Sequence, residues 1–285
     1  ILGKRPDGYH EIDTVMVSVG LADRLTLEPA ESIGLTCSDP ALPCDEGNLV
    51  VRAARALAEE AGVRKGARIH LEKRVPAGGG LGGGSSDAAA ALLGLNQMWG
   101  LRFSRERLNE IAAKLGSDVG FFLWGGWCRC QGRGEIVEPL PGSAAWPEVP
   151  LWLVIPPFGA ATPWVYKHLD APAVNDNTRP RSLTTLSHDI NTRISQILRS
   201  GPFPHRPQND LQAAACQAEP RLLKLQEELE RACPVRWQMT GSGAVHMVLP
   251  ERGESPSGLE EHLGQSLKYN VRVVATKTVT PGSTA

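Results

Sequence analysis

Residues 76–90 read Pro76-Ala-Gly-Gly-Gly-Leu-Gly-Gly-Gly-Ser-Ser-Asp-Ala-Ala-Ala90. Six of the seven positions 78–84 are glycine, with Leu81 between the two triplets. Without a Cβ the backbone turns tightly and its N–H groups can come close to a ligand. Upstream, Ile69, Leu71 and Val75 alternate with polar neighbours, the pattern of a strand. Downstream, Ser85, Ser86 and Asp87 are capping residues, and an alanine-rich helix is expected to run to about Trp99, with Gly100 closing it. Strand, glycine loop and helix together offer free N–H groups and the positive end of a helix dipole, which suits phosphate. Strand and cap signals bound the loop on both sides, so it reads as a phosphate or nucleotide cradle and not as a flexible linker.

Three familiar glycine loops do not fit. Residues 78–83 satisfy G-x-G-x-x-G, but a dinucleotide-binding unit needs a strand directly after the loop helix, ending in an acid. Here a second helix is expected instead: Ser104 caps it, Leu108, Ile111, Ala112 and Leu115 make its apolar stripe, and Gly116 ends it. A Walker loop needs Gly-Lys-Ser/Thr, and no Lys lies between the glycines and Ser85. The His-Arg-Asp and Asp-Phe-Gly signatures of protein kinases do not occur.

Outward from the loop, the N-terminal stretch carries the turn Pro6-Asp7-Gly8, followed by Tyr9 and His10 and then by strand-like apolar residues as far as Leu27. His10 read alone is a surface turn histidine. Residues 30–47 read as loop, and Asn48 caps an amphipathic helix that Gly62 stops. After Gly116 come Ser117-Asp118-Val-Gly-Phe-Phe-Leu-Trp124, a short strand at 127–131 and a hairpin turn, Gly132-Arg-Gly-Glu135. Four prolines in the twelve residues 139–150 mark the boundary between two α+β units, 1–145 and 146–285. The second unit opens on a buried-type strand, Leu151–Ile155, and shows a patchy helical signal around 182–199. Helices then start at Asn209 and Pro220, followed by a strand at Val235–Met239, the tight turn Thr240-Gly-Ser-Gly243 and its partner strand. A helix near 258–268 and a strand at 271–276 end the series.

The chain has 285 residues, 41% hydrophobic and 21% charged, enough for a packed core of one large or two ordinary domains. Thirty basic and 31 acidic residues leave a net charge of −1, which argues against nucleic acid or an anionic membrane as partner. No apolar run approaches the roughly 20 residues needed to span a bilayer. The six cysteines form no Cys-x-x-Cys pair, no His pair has zinc-site spacing, and no metal-ligating residue set is assigned. Cys128 and Cys130 would share one face of a strand as small core residues. Reduced thiols in a cytoplasmic protein are the expectation. The chain starts at Ile1 and not at Met, so a preceding segment is expected.

Pro76-x3-Gly80-Leu81-Gly-Gly-Gly-Ser85-Ser86 followed by alanines resembles the phosphate loop of the small-molecule kinases that include galactokinase, homoserine kinase and mevalonate kinase. The motifs Gly3-Lys-Arg-Pro-Asp-Gly-Tyr-His-Glu11, Pro76–Ala90, Leu115-Gly-Ser-Asp-Val119 and Thr240-Gly-Ser-Gly243 also follow one another as they do in the 4-diphosphocytidyl-2-C-methyl-D-erythritol kinase family. The resemblance covers most of the chain and is strongest over 1–135. It implies a ribosomal-protein-S5-like N-terminal domain that binds nucleotide and carries catalysis, and a ferredoxin-like C-terminal domain on the substrate side. It also implies ATP and Mg2+ as cofactors, a substrate bearing a cytidine diphosphate group, a monomer or homodimer, and phosphorylation of an erythritol 2-hydroxyl in non-mevalonate isoprenoid precursor biosynthesis.

The resemblance implies roles residue by residue. Pro76, Ala77, Gly78, Gly79, Gly80, Leu81, Gly82, Gly83, Gly84, Ser85 and Ser86 would hold the β- and γ-phosphates, with a serine hydroxyl in reach of Mg2+. Asp118 would be the base; from the residues alone, capping the segment after Gly116 stays open beside that role. Asn48 and Lys73 align with the adenine side, against ordinary capping and a solvated lysine. Tyr9 and His10 resemble the base-recognition residues, and Tyr166 in Thr162-Pro-Trp-Val-Tyr166-Lys resembles a second stacking ring, against a core tyrosine. Thr240 and Gly241 would close over phosphates or substrate, or form a plain hairpin turn. Members of the family carry a Lys in a Lys-x-Asn-Leu strand upstream of Gly3; this chain begins at Ile1-Leu2 and assigns no residue to it, a missing N-terminal segment being the expected cause. Gly120 stands where they usually place Pro. The competing readings are a related kinase acting on another small alcohol, a nicotinamide oxidoreductase disfavoured by the helix at 104–115, and a non-catalytic nucleotide binder if the upstream Lys is truly absent.

Overall fold

The computed structural model describes residues 1–171, 192, 194, 195, 208–233, 237–249, 256–267 and 269–280. The helical signal around 182–199 lies outside the described residues apart from 192, 194 and 195, and Val235 lies outside them as well. The chain divides into two compact units: Ile1–Val75 with Gly82–Ala144 and the chain from Val279 on, and Pro76–Leu81 with Ala145–Thr278. The glycine loop is therefore shared, its first six residues counting with the second unit.

In chain order the first unit holds β1 (Gly3–Lys4), β2 (His10–Val17), β3 (Arg24–Ala30), β4 (Ile33–Cys37), α1 (Leu49–Ala61), β5 (Gly66–Glu72), α2 (Gly83–Met98), α3 (Arg105–Leu115), α4 (Val119–Trp124), β6 (Trp127–Gly132) and β7 (Ile136–Pro139). One sheet runs β1-β2-β6-β7 with antiparallel neighbours throughout. On β6, Cys128 and Cys130 are fully buried on one face, packed with Phe121 of α4. The second sheet runs β3-β5-β4. β5 is antiparallel to β3 and parallel to β4. The loop expected over 30–47 thus contains a strand. Ile33 and Leu35 alternate with Gly34 and Thr36, but the run is only 5 residues long and the acids and prolines around it mask the period.

Asn48 caps α1 as expected: its Oδ1 accepts from the Val50 N–H at 3.0 Å, and Gly62 closes the helix in the left-handed region at φ 62. α1 buries Val50, Val51, Ala53, Ala54 and Leu57 against Ala88, Ala89, Ala91, Leu92 and Leu95 of α2. The alanines let the two helices approach closely, and Ile69 and Leu71 of β5 join the same core. Each buried Leu or Ile contributes on the order of 1.5–3 kcal/mol. That packing fixes the axis of α2, and so the direction in which its N-terminus points. Ser104 caps α3 by accepting from the Arg107 N–H at 3.3 Å.

The second unit holds β8 (Pro150–Ile155), α5 (Thr162–Leu169), α6 (Gln212–Ala218), α7 (Arg221–Ala232), β9 (Trp237–Met239), β10 (His246–Val248), α8 (Pro256–Ser266) and β11 (Arg272–Lys277). Its sheet runs β11-β8-β10-β9, antiparallel at every step. With α7 before β9 and α8 before β11, this is the ferredoxin-like β-α-β-β-α-β order, first and third strands central. β8 is buried from Leu151 to Ile155, as a central strand covered on both faces should be. Trp152 and Val154 face a core with Leu225 and Leu229 of α7, Trp237, Val248 and Leu263.

Candidate active site

In the second unit the loop segment Pro76–Leu81 turns through glycines at positive φ, 69° at Gly78 and 78° at Gly80. A Cβ on Gly80 would lie 2.5 Å from Thr240 O, so only glycine fits there. In the first unit α2 begins at Gly83, with Gly82 at φ 69° as its N-cap and no side-chain capping bond. The first-turn N–H groups are left without intrahelical acceptors. The sequence expectation that Ser85, Ser86 and Asp87 cap the helix is therefore corrected: Gly82 is the cap, and the three lie within the first five residues of α2. The Ser86 hydroxyl donates to Gly83 O at 2.7 Å, and the Ser85 hydroxyl has no partner among the described residues. Within the first unit, the bare N–H groups and the Ser85 hydroxyl at the positive end of the α2 dipole can receive an anion.

Asp87 turns inward instead. The Lys73 ammonium, which follows β5, donates to Asp87 Oδ2 at 2.9 Å and to Asp23 Oδ2 at 2.5 Å. All three side chains are at least nine-tenths buried. Asp23 Oδ1 also accepts from the N–H groups of Arg74 and Val75 at 2.5 and 2.9 Å. Burial pushes the Asp23 carboxyl up, but those N–H groups and Lys73 outweigh it and hold its pKa below the usual value. Burial lifts Asp87 to about 7, and Lys73 offsets only part of that. Lys73 loses solvation too, yet its two carboxylates raise its pKa. A solvated Lys73 is thereby excluded. Its Nζ lies 3.3 Å from where a Gly83 Cβ would stand, so the ion network sits directly under the start of α2.

Asp118 occupies the N-cap position of α4, but its side chain makes no capping bond. Its carboxyl is half-buried, burial raises its pKa, and among the described residues no side chain donates to it. Gly134, in the hairpin between β6 and β7, packs against it: a Cβ there would be 3.3 Å from Asp118 Oδ1 and 3.2 Å from Ser117 O. Behind Asp118, a Cβ on Gly120 would lie 2.2 Å from Asn109 Oδ1. The Asn109 amide fills the space that a proline ring would need, and its Nδ2 donates to Glu135 O at 3.3 Å. Asn109 thus braces both the start of α4 and the hairpin.

The same hairpin reaches Tyr9. Arg133 lays its guanidinium over the Tyr9 ring at 4.7 Å from the centroid and donates to Ala113 O at 3.3 Å. Tyr9 is half exposed, at 51%. The turn beneath it is locked: Arg5 N–H donates to Tyr9 O at 2.7 Å, and Asp7 Oδ1 accepts from Tyr9 N–H at 3.1 Å. His10 is not the surface turn histidine expected from the local sequence. It opens β2, pairs with Lys4 of β1, and is buried.

The profile of the GHMP kinases N terminal domain matches residues 48–126, from the cap of α1 to the glycines after α4. The chain is 44% identical over 275 residues to the 4-diphosphocytidyl-2-C-methyl-D-erythritol kinase of Salinibacter ruber, covering 95% of this chain and 93% of that one. It is 38% identical over 246 residues to the enzyme of the same name from Gloeobacter violaceus, covering 85% and 78%. The chain belongs to the 4-diphosphocytidyl-2-C-methyl-D-erythritol kinase family. A crystal structure of 4-(cytidine 5'-diphospho)-2C-methyl-D-erythritol kinase superposes with a TM-score of 0.72 at 33% identity, over 96% of this chain and 92% of that one. A homoserine kinase from Cytophaga hutchinsonii reaches the same TM-score of 0.72 at 17% identity and shares the fold. As a member of this kinase family the chain is a small-molecule kinase with the GHMP kinase fold.

Within that family fold the first unit carries Tyr9, His10, Asn48, Lys73, Gly82, Gly83, Gly84, Ser85, Ser86 and Asp118. The second carries Pro76, Ala77, Gly78, Gly79, Gly80 and Leu81 together with Tyr166, Thr240 and Gly241. Asn48 spends both ends of its amide locally, accepting from Val50 N–H and donating to Pro43 O at 2.8 Å. Tyr166 is half-buried on α5, a helix that the sequence reading did not resolve; Pro163 starts it. The Thr162 hydroxyl, one turn earlier, meets Ser242 Oγ at 2.8 Å, which ties α5 to the turn of Thr240 and Gly241. Sequence reasoning missed Asp23 and Arg133. Asp23 stands alone between β2 and β3 with no local pattern around it. Arg133 sits in a recognisable hairpin turn, but nothing local says that it reaches Tyr9. Among the described residues no group of three or more His, Cys, Asp or Glu is placed to hold a metal. Mg2+ carried by ATP needs no such cage, because it keeps waters and phosphate oxygens as ligands; a first-turn hydroxyl at Ser85 or Ser86 fits that requirement.

Proposed function

We propose that this chain transfers the γ-phosphoryl group of ATP to the 2-hydroxyl of 4-diphosphocytidyl-2-C-methyl-D-erythritol, a step in non-mevalonate isoprenoid precursor synthesis. Identity of 44% to a namesake over nearly its full length supports that substrate. The observation that carries the substrate reading is Tyr9, an aromatic ring held half exposed on a locked turn and backed on one face by Arg133. A half-exposed ring of this kind can stack on a planar base. In the transfer, the substrate oxygen forms a bond to the γ-phosphorus as the bond to the ADP oxygen breaks, and the hydroxyl proton passes to the Asp118 carboxylate. A carboxylate whose pKa is raised by burial is a better base than an exposed one. The N–H groups of the glycine loop and the start of α2 hold the phosphates and stabilise charge on the transferring group. Mg2+ bound with ATP would screen that charge, with Ser85 or Ser86 as its protein contact. All six cysteines are free, which supports a reducing, cytoplasmic setting.

The test is a coupled ADP-release assay that offers the cytidylylated alcohol and the free alcohol side by side. Strong preference for the cytidylylated form is expected. Equal rates would move the assignment to another small alcohol, and no ADP release with either would favour a nucleotide binder without turnover.

A further inference from the structure

Inside the second unit a second glycine turn lies backbone to backbone on the glycine loop. Val245 N–H donates to Gly79 O at 3.1 Å, and Gly243 N–H closes the turn on Thr240 O at 2.9 Å. A Cβ on Gly241 would come within 2.9 Å of Gly80 O, and one on Gly80 within 3.0 Å of Gly243 N. The two backbones are thus in direct contact, with no room for a side chain between them. One side chain holds the turn from behind. Asn209, in the segment before α6, donates from Nδ2 to Met239 O at 3.0 Å and to Gly241 O at 2.7 Å. Its Oδ1 accepts from the Leu211 N–H at 2.9 Å. The amide thus uses its donors on the end of β9 and on the turn, and its acceptor on its own helix start.

We propose that Asn209 is a positioning residue for phosphoryl transfer: its amide sets the register of the 239–241 backbone against Gly79 and Gly80, and so the direction of the loop N–H groups at the ATP phosphates. This rests on the reading of the glycine loop as the phosphate cradle. The competing role is plain capping of the segment that leads into α6. The two roles separate chemically. Aspartate caps as well as asparagine does. It has no N–H to give to two carbonyls, and its charge would face them.

The experiment compares Asn209→Asp and Asn209→Ala with the parent by KM for ATP, kcat and melting temperature. If Asn209 positions the loop, both variants raise KM for ATP by about tenfold, the scale of losing two hydrogen bonds to backbone carbonyls. Asn209→Asp does so although it keeps the acceptor for the Leu211 N–H. A parent-like KM in Asn209→Asp beside a low melting temperature in Asn209→Ala overturns the proposal in favour of capping. Asn209→Ser, another good cap that lacks the paired donors, is read in the same way should the aspartate variant not fold. Gly80→Ala separates the two levels of inference. An unchanged KM for ATP in Gly80→Ala removes the phosphate-cradle reading itself. A raised KM there with a parent-like KM in Asn209→Asp removes only the role of Asn209.

Discussion

Asp118 and Asp87 are both lifted by burial, and they do different work. Asp118 has no side-chain donor among the described residues, and a Cβ at Gly134 would stand 3.3 Å from its Oδ1. Asp118→Asn keeps size and polarity but cannot accept the hydroxyl proton. Turnover should fall at least about a hundredfold, the usual scale for a general base, while ATP affinity stays near that of the parent. Single-turnover rates and equilibrium ATP titration check the two halves of that expectation. Asp87 instead shares one ammonium with Asp23. Two carboxylates on one buried lysine leave an excess negative charge if both ionise, and burial resolves the conflict by lifting Asp87 to about 7. A carboxyl whose folded pKa is raised stabilises the fold below its unfolded pKa, and that stability is lost as pH climbs toward the folded value. The loss here spans about pH 4 to 7. Asp87→Asn mimics the protonated acid at every pH. Relative to the parent it should gain more than about 1 kcal/mol of stability between pH 5 and pH 8, measured by denaturant melts at each pH. A constant difference across that range would place the proton elsewhere.

At the scale of the element, α2 decides the site. The sequence places its cap at Ser85–Asp87, three capping residue types followed by alanines, and glycine costs about 1 kcal/mol in a helix. The helix nevertheless starts at Gly83, where it passes 3.0 Å from Val75 Cγ1, measured from the place of a Cβ. Tertiary packing made the glycines part of the helix by demanding that it approach the strand end and the Lys73 ammonium. Gly82 carries the same demand twice: its φ is 69°, and a Cβ there would press on the Phe122 ring at 2.8 Å. Gly82→Ala should cost roughly 1–2 kcal/mol for the left-handed backbone alone. KM for ATP should rise more than kcat falls, because the displaced cap redirects the first-turn N–H groups. Thermal melts with steady-state kinetics check both effects. β4 gives the opposite lesson. Its five residues are too few for a period of two to stand out, and its strand state comes from pairing with β5, which begins beyond α1.

At the scale of the whole molecule, the motifs were legible and the partnerships were not. The Pro6-Asp7-Gly8 turn, the caps of α1 and α3, the glycine loop, the two-unit α+β plan and the kinase family could all be read along the chain, because each is written in residues a few positions apart. Pro6-Asp7-Gly8 presets φ locally, Asn48 reaches its own helix, and Leu151–Ile155 declares a central strand by being apolar on both faces. Lys73 finds Asp23 across 50 residues, Arg133 finds Tyr9 across the hairpin of another strand pair, and Asn209 reaches across 32 residues to Gly241 O. Periodicity states which face of an element is apolar, and leaves open which element will cover it. The chain alone therefore specifies a glycine-rich turn running into a helix and an aspartate at another helix start. Folding supplies the buried ammonium beneath the loop helix and the second glycine turn against the loop. The physical reason is that hydrogen bonds and ion pairs act over a few ångströms, and distant residues come that close only after the cores of α1, α2 and β5, and of α7 with its sheet, have closed.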